Sequence, residues 1–150
     1  MNTESIFHIH RPRLLALAYR MLGSRADAED VLQDAWLRWA SADTTDMRDA
    51  EAWLVTATTR LSLDRLRAAK RERQRYVGPW LPEPLQVELA PDTEADPAHI
   101  HVVANEVSFA FLTLLEQLSP DERAAFVLKE AFDHDYRQIG SLIGHSEANC

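Results

Sequence analysis

Apolar residues recur three and four positions apart from near the start of the chain. Leu14, Leu15, Leu17, Ala18, Met21 and Leu22 fall on one side of a helix, so the spacing predicts an α-helix from about Ile6 to Met21. Gly23 supplies a stop. Ser24 is a good N-cap with Asp27 three residues on, and Ala26, Val31, Leu32, Ala35, Trp36 and Trp39 make the apolar face of a second helix. Residues Ser41 to Arg48 have the polar composition of a loop. A third helix then runs from Ala50 to about Arg75 with Trp53, Leu54, Ala57, Leu61, Leu63 and Leu66 inward. These three helices form one compact unit, residues 1–75.

Gly78, Pro79, Pro82, Pro84, Pro91 and Pro97 interrupt any long helix or central strand, because proline lacks the amide hydrogen and clashes with the preceding turn. Residues 76–101 therefore read as a linker. Tyr76, Trp80 and Leu81 are unusual in a mere spacer. Helical spacing returns with Val102, Val103, Val107, Phe111, Leu114, Leu115 and Leu118. Ser119-Pro120 is an N-cap followed by proline at the first helical position, and it opens a helix carrying Ala125, Phe126 and Leu128. Tyr136 to Ile143 forms another, Gly144 turns the chain, and Ser146 would cap a last helix. Nothing alternates with period two. The predicted fold is all-α, two small helical domains, 1–75 and 102–150, joined by a proline-rich linker.

Composition supports a folded chain, with 46% hydrophobic residues and four Trp. No stretch reaches the roughly 18 apolar residues of a membrane span, and His8, His10, Arg11 and Arg13 stand where a signal peptide needs its apolar segment. The expected compartment is the cytoplasm. The single cysteine, Cys150, excludes an internal disulfide and a thiolate metal cluster. His8 with His10, and His99 with His101, lack a carboxylate or thiolate at ligand spacing, so no metal or cofactor is assigned. No nucleophile, base and orienter form a recognisable set, and no glycine-rich phosphate loop is present, which argues against an enzyme.

The net charge of −8 conceals a segregation. Arg60 to Arg75 carries seven bases against Asp64 and Glu72, or +5 in sixteen residues. Asp27 to Glu51 carries eight acids against Arg38 and Arg48, and residues 76–100 carry five acids with no Lys or Arg. A basic stripe between acidic surfaces suits a protein that meets a polyanion at one face and a basic protein at another. Should Glu83, Glu88, Asp92, Glu94 and Asp96 fold onto Arg67 to Arg75, the free chain would inhibit itself.

The run RPRLLALAYRMLGSRADAEDVLQDAWLRW, Arg11 to Trp39, resembles the second region of extracytoplasmic-function (ECF) sigma factors of the sigma-70 family. The resemblance implies that Asp30, Gln33 and Asp34 contact the clamp helices of the largest subunit of the RNA polymerase core. Their spacing places them on one helix face, which could equally be a solvated acidic surface. AEAWLVTATTRLSLDRLRAAKRER is similar to that family's minus-10 recognition and melting helix through Trp53, Leu54, Asp64 and Arg67, with Arg60 where many members have asparagine. It implies promoter DNA binding by Trp53, Arg60, Arg65, Arg67, Lys70 and Arg71, with the loop at Asp46 to Asp49 walling a pocket for flipped bases of the nontemplate strand. Trp53 also reads as core, and Asp64 as an ion-pair partner within the stripe.

YVGPWLPEP, Tyr76 to Pro84, resembles the linker of a subgroup bearing an extra C-terminal domain of the nuclear-transport-factor-like fold. Trp80, Leu81 and Pro82 would dock that domain; packing on their own first unit is the alternative. LSPDERAAFVLKEAFDHDYRQIGSLIGHSEANC is similar to the opening of the fourth region, the helix-turn-helix that reads the minus-35 element. Ser146, Glu147 and Asn149 would begin its reading helix. Against that pattern the motif breaks off at Cys150 and minus-35 binding is expected to be weak. The resemblance thus implies a non-catalytic specificity subunit of RNA polymerase, regulated by an anti-sigma factor or by the absent domain. A polymerase-binding module without promoter selectivity is the competing reading.

Overall fold

A computed structural model describes residues 2–73 and 110–149, and these are helical with no strand among them. Helix α1 is Thr3–Leu22, α2 Arg25–Ser41, α3 Ala50–Arg73, α4 the helical residues 110–116, α5 Pro120–Phe132 and α6 Tyr136–Ile143, followed by a 3₁₀ turn at Glu147–Asn149. Residues 76–101, with the docking candidates Trp80, Leu81 and Pro82, lie outside the described residues, as do the linker acids.

Local capping chemistry sets the boundaries. α1 begins three residues before the expected Ile6 because the Asn2 side chain accepts the Ser5 N–H at 2.7 Å. Ser24 caps α2 through the Asp27 N–H. Ser119 and Glu122 exchange both bonds of a capping box at the start of α5, with Pro120 at the first turn. Asp135 and Gln138 do the same for α6.

Leu14, Leu17, Met21, Val31, Ala35, Trp39, Leu54 and Leu63 close the α1–α3 core. Ala28, not Ala26, points inward from α2. The Trp39 indole donates to the Thr3 carbonyl at 2.8 Å, tying the end of α2 to the start of α1. Phe7 meets Trp36 edge-on at 5.2 Å. α3 also buries the hydroxyls of Thr58, Thr59 and Ser62 without a hydrogen-bond partner. An unpaired buried hydroxyl costs about 1–3 kcal/mol. Thr58→Val should therefore raise stability by about 1 kcal/mol in urea unfolding; a comparable loss would mean that the hydroxyl has a partner.

The second unit packs directly on the first. Its inward face is Ala124, Val127, Leu128 and Phe132, whereas Phe126 remains 40% exposed beside Phe111. Arg123 is only 4% exposed, and it joins the units. Its guanidinium donates to the Leu115 carbonyl at 2.9 Å and to the Met21 carbonyl of α1 at 2.5 Å. Arg13 of α1 stacks over the Phe132 ring at 4.8 Å, a cation–π contact between the units. Within the second unit α6 turns sharply at Gly144, whose φ is 82°. A Cβ at Gly140 would come 2.5 Å from the His145 carbonyl oxygen, so the close return of the chain after α6 requires glycine.

Candidate polymerase and nucleic-acid interfaces

Asp30, Gln33 and Asp34 are all exposed on α2. Beside them a groove of about 390 Å³ runs between α1 and α2, floored by Phe7, Leu32 and Trp36 and rimmed by Glu4, Glu29 and Asp30. Arg11 crosses it to bond Glu29 at 2.6 Å. Charge at the rim with apolar surface at the centre is the usual anatomy of a protein-binding patch.

The six residues assigned to DNA do not form one stripe. Arg65 turns toward α2, 3.3 Å from Asp27 and 3.6 Å from Asp30. Arg67 reaches α5, where its Nη2 lies 2.6 Å from Asp121 Oδ1. Lys70 and Arg71 line the cleft between α3 and the start of α5. The partners that Arg67 and Arg73 find are thus Asp121 and Glu116 of the second unit. Asp64, expected within an ion pair, is exposed and makes none among the described residues.

Trp53 and Arg60 come together elsewhere, in a pocket of about 460 Å³. Arg38 from the end of α2, Met47, Arg48 and Asp49 from the loop, and Thr56 from α3 complete its wall. The loop is locally braced. Asp43 Oδ1 accepts from the Thr45 N–H and hydroxyl at 3.0 and 2.6 Å, bonds that hold its carboxyl below the usual carboxylate range. Asp49 then caps α3 through the Ala52 N–H at 2.9 Å. Trp53 is half-buried, its ring tilted 54° on Trp39 at 5.4 Å, so it is at once core and pocket wall. The expected wall at Asp46 to Asp49 is present in Met47, Arg48 and Asp49. Arg38 was missed, although it and Arg48 are the two cations of the acid-rich 27–51 segment, and that isolation was the available signal.

Ser146 and Asn149 are exposed, and the Ser146 hydroxyl accepts the Asn149 N–H at 3.3 Å. Glu147 is described only as backbone in the 3₁₀ turn. His145 links this tip to the cleft, with Nε2 2.7 Å from Asp121 Oδ2 and Nδ1 2.9 Å from the Asn149 amide. Asp121 is therefore gripped from both sides. Burial would raise its pKa, yet the bonds to His145 and Arg67 and their charges outweigh burial and hold it below the usual range. Nearby, burial raises Glu116 against the pull of Arg73 and Arg123.

A folded-state pKa below the unfolded one adds stability above the unfolded value and loses it as pH falls through the folded one. The stability that Asp121→Asn removes should accordingly be full at neutral pH and shrink below about pH 4. Urea titrations of both chains across that range measure it, and a difference independent of pH would show that Asp121 acts without its charge.

Among the described residues there is no group of His, Cys, Asp or Glu placed to hold a metal ion, and no helix long and apolar enough to cross a membrane.

Two family descriptions match the chain: Sigma-70 region 2 over residues 6–72 and Sigma-70, region 4 over residues 108–150. The chain is 44% identical over 144 residues to the ECF RNA polymerase sigma factor SigJ of Mycobacterium tuberculosis, covering 96% of this chain and 45% of that protein. It is 38% identical over 149 residues to the probable ECF sigma factor SigI of the same organism, covering 98% and 50% respectively. The chain thus spans about half the length of these curated relatives. The crystal structure of Mycobacterium tuberculosis SigJ superposes with a TM-score of 0.70 at 41% identity, over 97% of this chain and 48% of that one. The Bartonella quintana sigma factor RpoE, crystallised with the anti-sigma factor NepR, shares the fold with a TM-score of 0.67 at 24% identity, over 97% and 85%.

Proposed function

The chain belongs to the extracytoplasmic-function sigma factors of the sigma-70 family, and from that membership we propose that it directs RNA polymerase to promoters as a non-catalytic, cytoplasmic subunit. Residues 1–75 hold the polymerase and the minus-10 element, and 102–150 hold the minus-35 reader. Asp30, Gln33 and Asp34 meet the clamp helices of the largest subunit. The Trp53–Arg60 pocket takes an unstacked base of the nontemplate strand, and Lys70 and Arg71, with Arg65 and Arg67 once released from their carboxylates, hold phosphates. Ser146, Glu147 and Asn149 face the minus-35 element. Trp80, Leu81 and Pro82 dock a regulatory domain of the nuclear-transport-factor-like fold.

One observation carries this reading. α2 bears along its middle three exposed polymerase-type contacts and, four to eight residues or about 6–12 Å further along its axis, an arginine in a pocket walled by Trp53. A single rigid helix would then fix the distance between polymerase and captured base. Binding to core RNA polymerase from Mycobacterium tuberculosis tests it. The triple change Asp30→Ala, Gln33→Ala, Asp34→Ala should weaken binding at least about tenfold, or 1.4 kcal/mol, with helicity and melting unchanged. Equal binding by the triple variant would remove the assigned contact.

A further inference from the structure

The end of α3 meets the second unit along a ladder of charge. Arg67, Lys70 and Arg73 are spaced three residues apart on α3, so each is the neighbour of the next along the helix surface. Arg67 lies 2.6 Å from Asp121 of α5 and Arg73 lies 3.5 Å from Glu116 of α4, which makes the two outer rungs ion pairs between the units. The middle rung lacks its acid. Lys70 makes no ion pair among the described residues, and it lines two adjoining clefts whose other shared residues are Ser119 and Pro120. Ser119, the N-cap of α5, stands in the chain between Glu116 and Asp121 and has a hydroxyl where the ladder would take an anion. Around the two clefts five cations, the three of the ladder with Arg71 and Arg123, meet three acids, Glu116, Asp121 and Glu122. That surplus of two positive charges matches a phosphate dianion.

We propose that Ser119 is a phosphorylation site, and that its phosphate pairs with Lys70, completes the ladder and clamps the second unit onto α3. Ser119 is half-exposed, and its φ of −62° and ψ of 162° give it the extended backbone that a kinase's substrate groove takes. A protein-serine kinase supplies the group from a nucleoside triphosphate. Ser119 Oγ bonds the γ-phosphorus as the bond to the nucleoside diphosphate breaks, and the hydroxyl proton passes to the kinase's base. The phosphate then stands at the N-terminus of a thirteen-residue helix, whose dipole favours negative charge. Its oxygens can still accept the Glu122 N–H that the hydroxyl now holds. Asp121 and Glu122 repel it, but Asp121 is already paired with Arg67 and the Glu122 carboxylate is turned onto the Ser119 N–H. Resting on the DNA contacts proposed above for Arg67, Lys70 and Arg71, the clamp withholds these residues from the strand and lowers promoter binding.

Incubation of the full chain with ATP and a panel of bacterial protein-serine kinases, followed by peptide mass spectrometry, should place phosphate on Ser119; phosphate on other residues alone would overturn the site. The clamp is tested with the full chain carrying genetically encoded phosphoserine at position 119. Amide hydrogen exchange should slow about fivefold or more, relative to the unmodified chain, both in α5 and at the end of α3, as one or two charge-assisted bonds across the units require. Lys70→Met should abolish the slowing in α3, whereas better capping of α5 alone would leave α3 unchanged in both chains and overturn the clamp. Binding of a fluorescein-labelled single strand should weaken about fivefold on phosphorylation. Slowed exchange in both helices with equal strand binding by the two forms would remove the DNA contacts assigned to α3 and leave the clamp standing.

Discussion

Trp39→Ala should cost about 3–5 kcal/mol of folding stability, the largest loss of any single change proposed. Trp39 is 1% exposed, its Nε1–H donates to the Thr3 carbonyl, and its ring carries Trp53. Truncation leaves a cavity, removes the indole donor from the Thr3 carbonyl and takes away the floor on which the pocket wall rests. Trp39→Phe keeps most of the apolar volume and loses the hydrogen bond, so it should cost about half as much. Urea unfolding followed by far-ultraviolet circular dichroism measures both. Should Trp39→Ala lose less than about 1 kcal/mol, the three-helix core would not be packed around this residue.

Arg123→Met should loosen the second unit from the first at a cost of about 2–3 kcal/mol. The guanidinium is buried, and desolvation lowers its pKa from the ordinary arginine value, yet it donates to the Met21 carbonyl of the first unit and to the Leu115 carbonyl, which also accepts the Leu118 N–H. Methionine fills the stem volume without replacing either donor. The expected signature is a second, earlier transition for residues 110–149 and a larger radius in small-angle scattering, with the α1–α3 unit melting as before. A single unshifted transition would mean that the contacts of Arg13 with Phe132 and of Arg67 with Asp121 hold the units without it. The same loosening frees Arg67 from Asp121, so the variant should also bind single-stranded DNA more tightly.

What could be read along the chain was local chemistry. Ser24, Ser119 with Glu122, and Gly144 each act through neighbours within four residues, and the helix ends they imply are the ones observed. The acidic face at Asp30, Gln33 and Asp34 was legible for the same reason, since helical spacing alone puts it on one side. Periodicity was less sure of the inward face. Ala26 and Ala28 differ by two positions on a short-residue helix, and Phe126 stays exposed because Arg123 and Phe132 occupy the side of α5 that meets α1. The sites depended on distant residues. Arg65 and Asp27 are 38 positions apart and Arg67 and Asp121 are 54 apart, so a run that looks like one basic stripe is divided among acids on α2, α4 and α5. The pocket around Trp53 likewise needs the end of α2 to meet the start of α3, which only the fold brings about.

Transcription from a random-sequence promoter library by core RNA polymerase, with and without this chain, tests the central claim most directly. The account predicts transcripts that appear only with the chain, share a common element upstream of their starts, and vanish with Asp30→Ala, Gln33→Ala, Asp34→Ala. A transcript population identical with and without the chain, although the chain binds the core, would contradict it and leave a polymerase-binding module that selects no promoter.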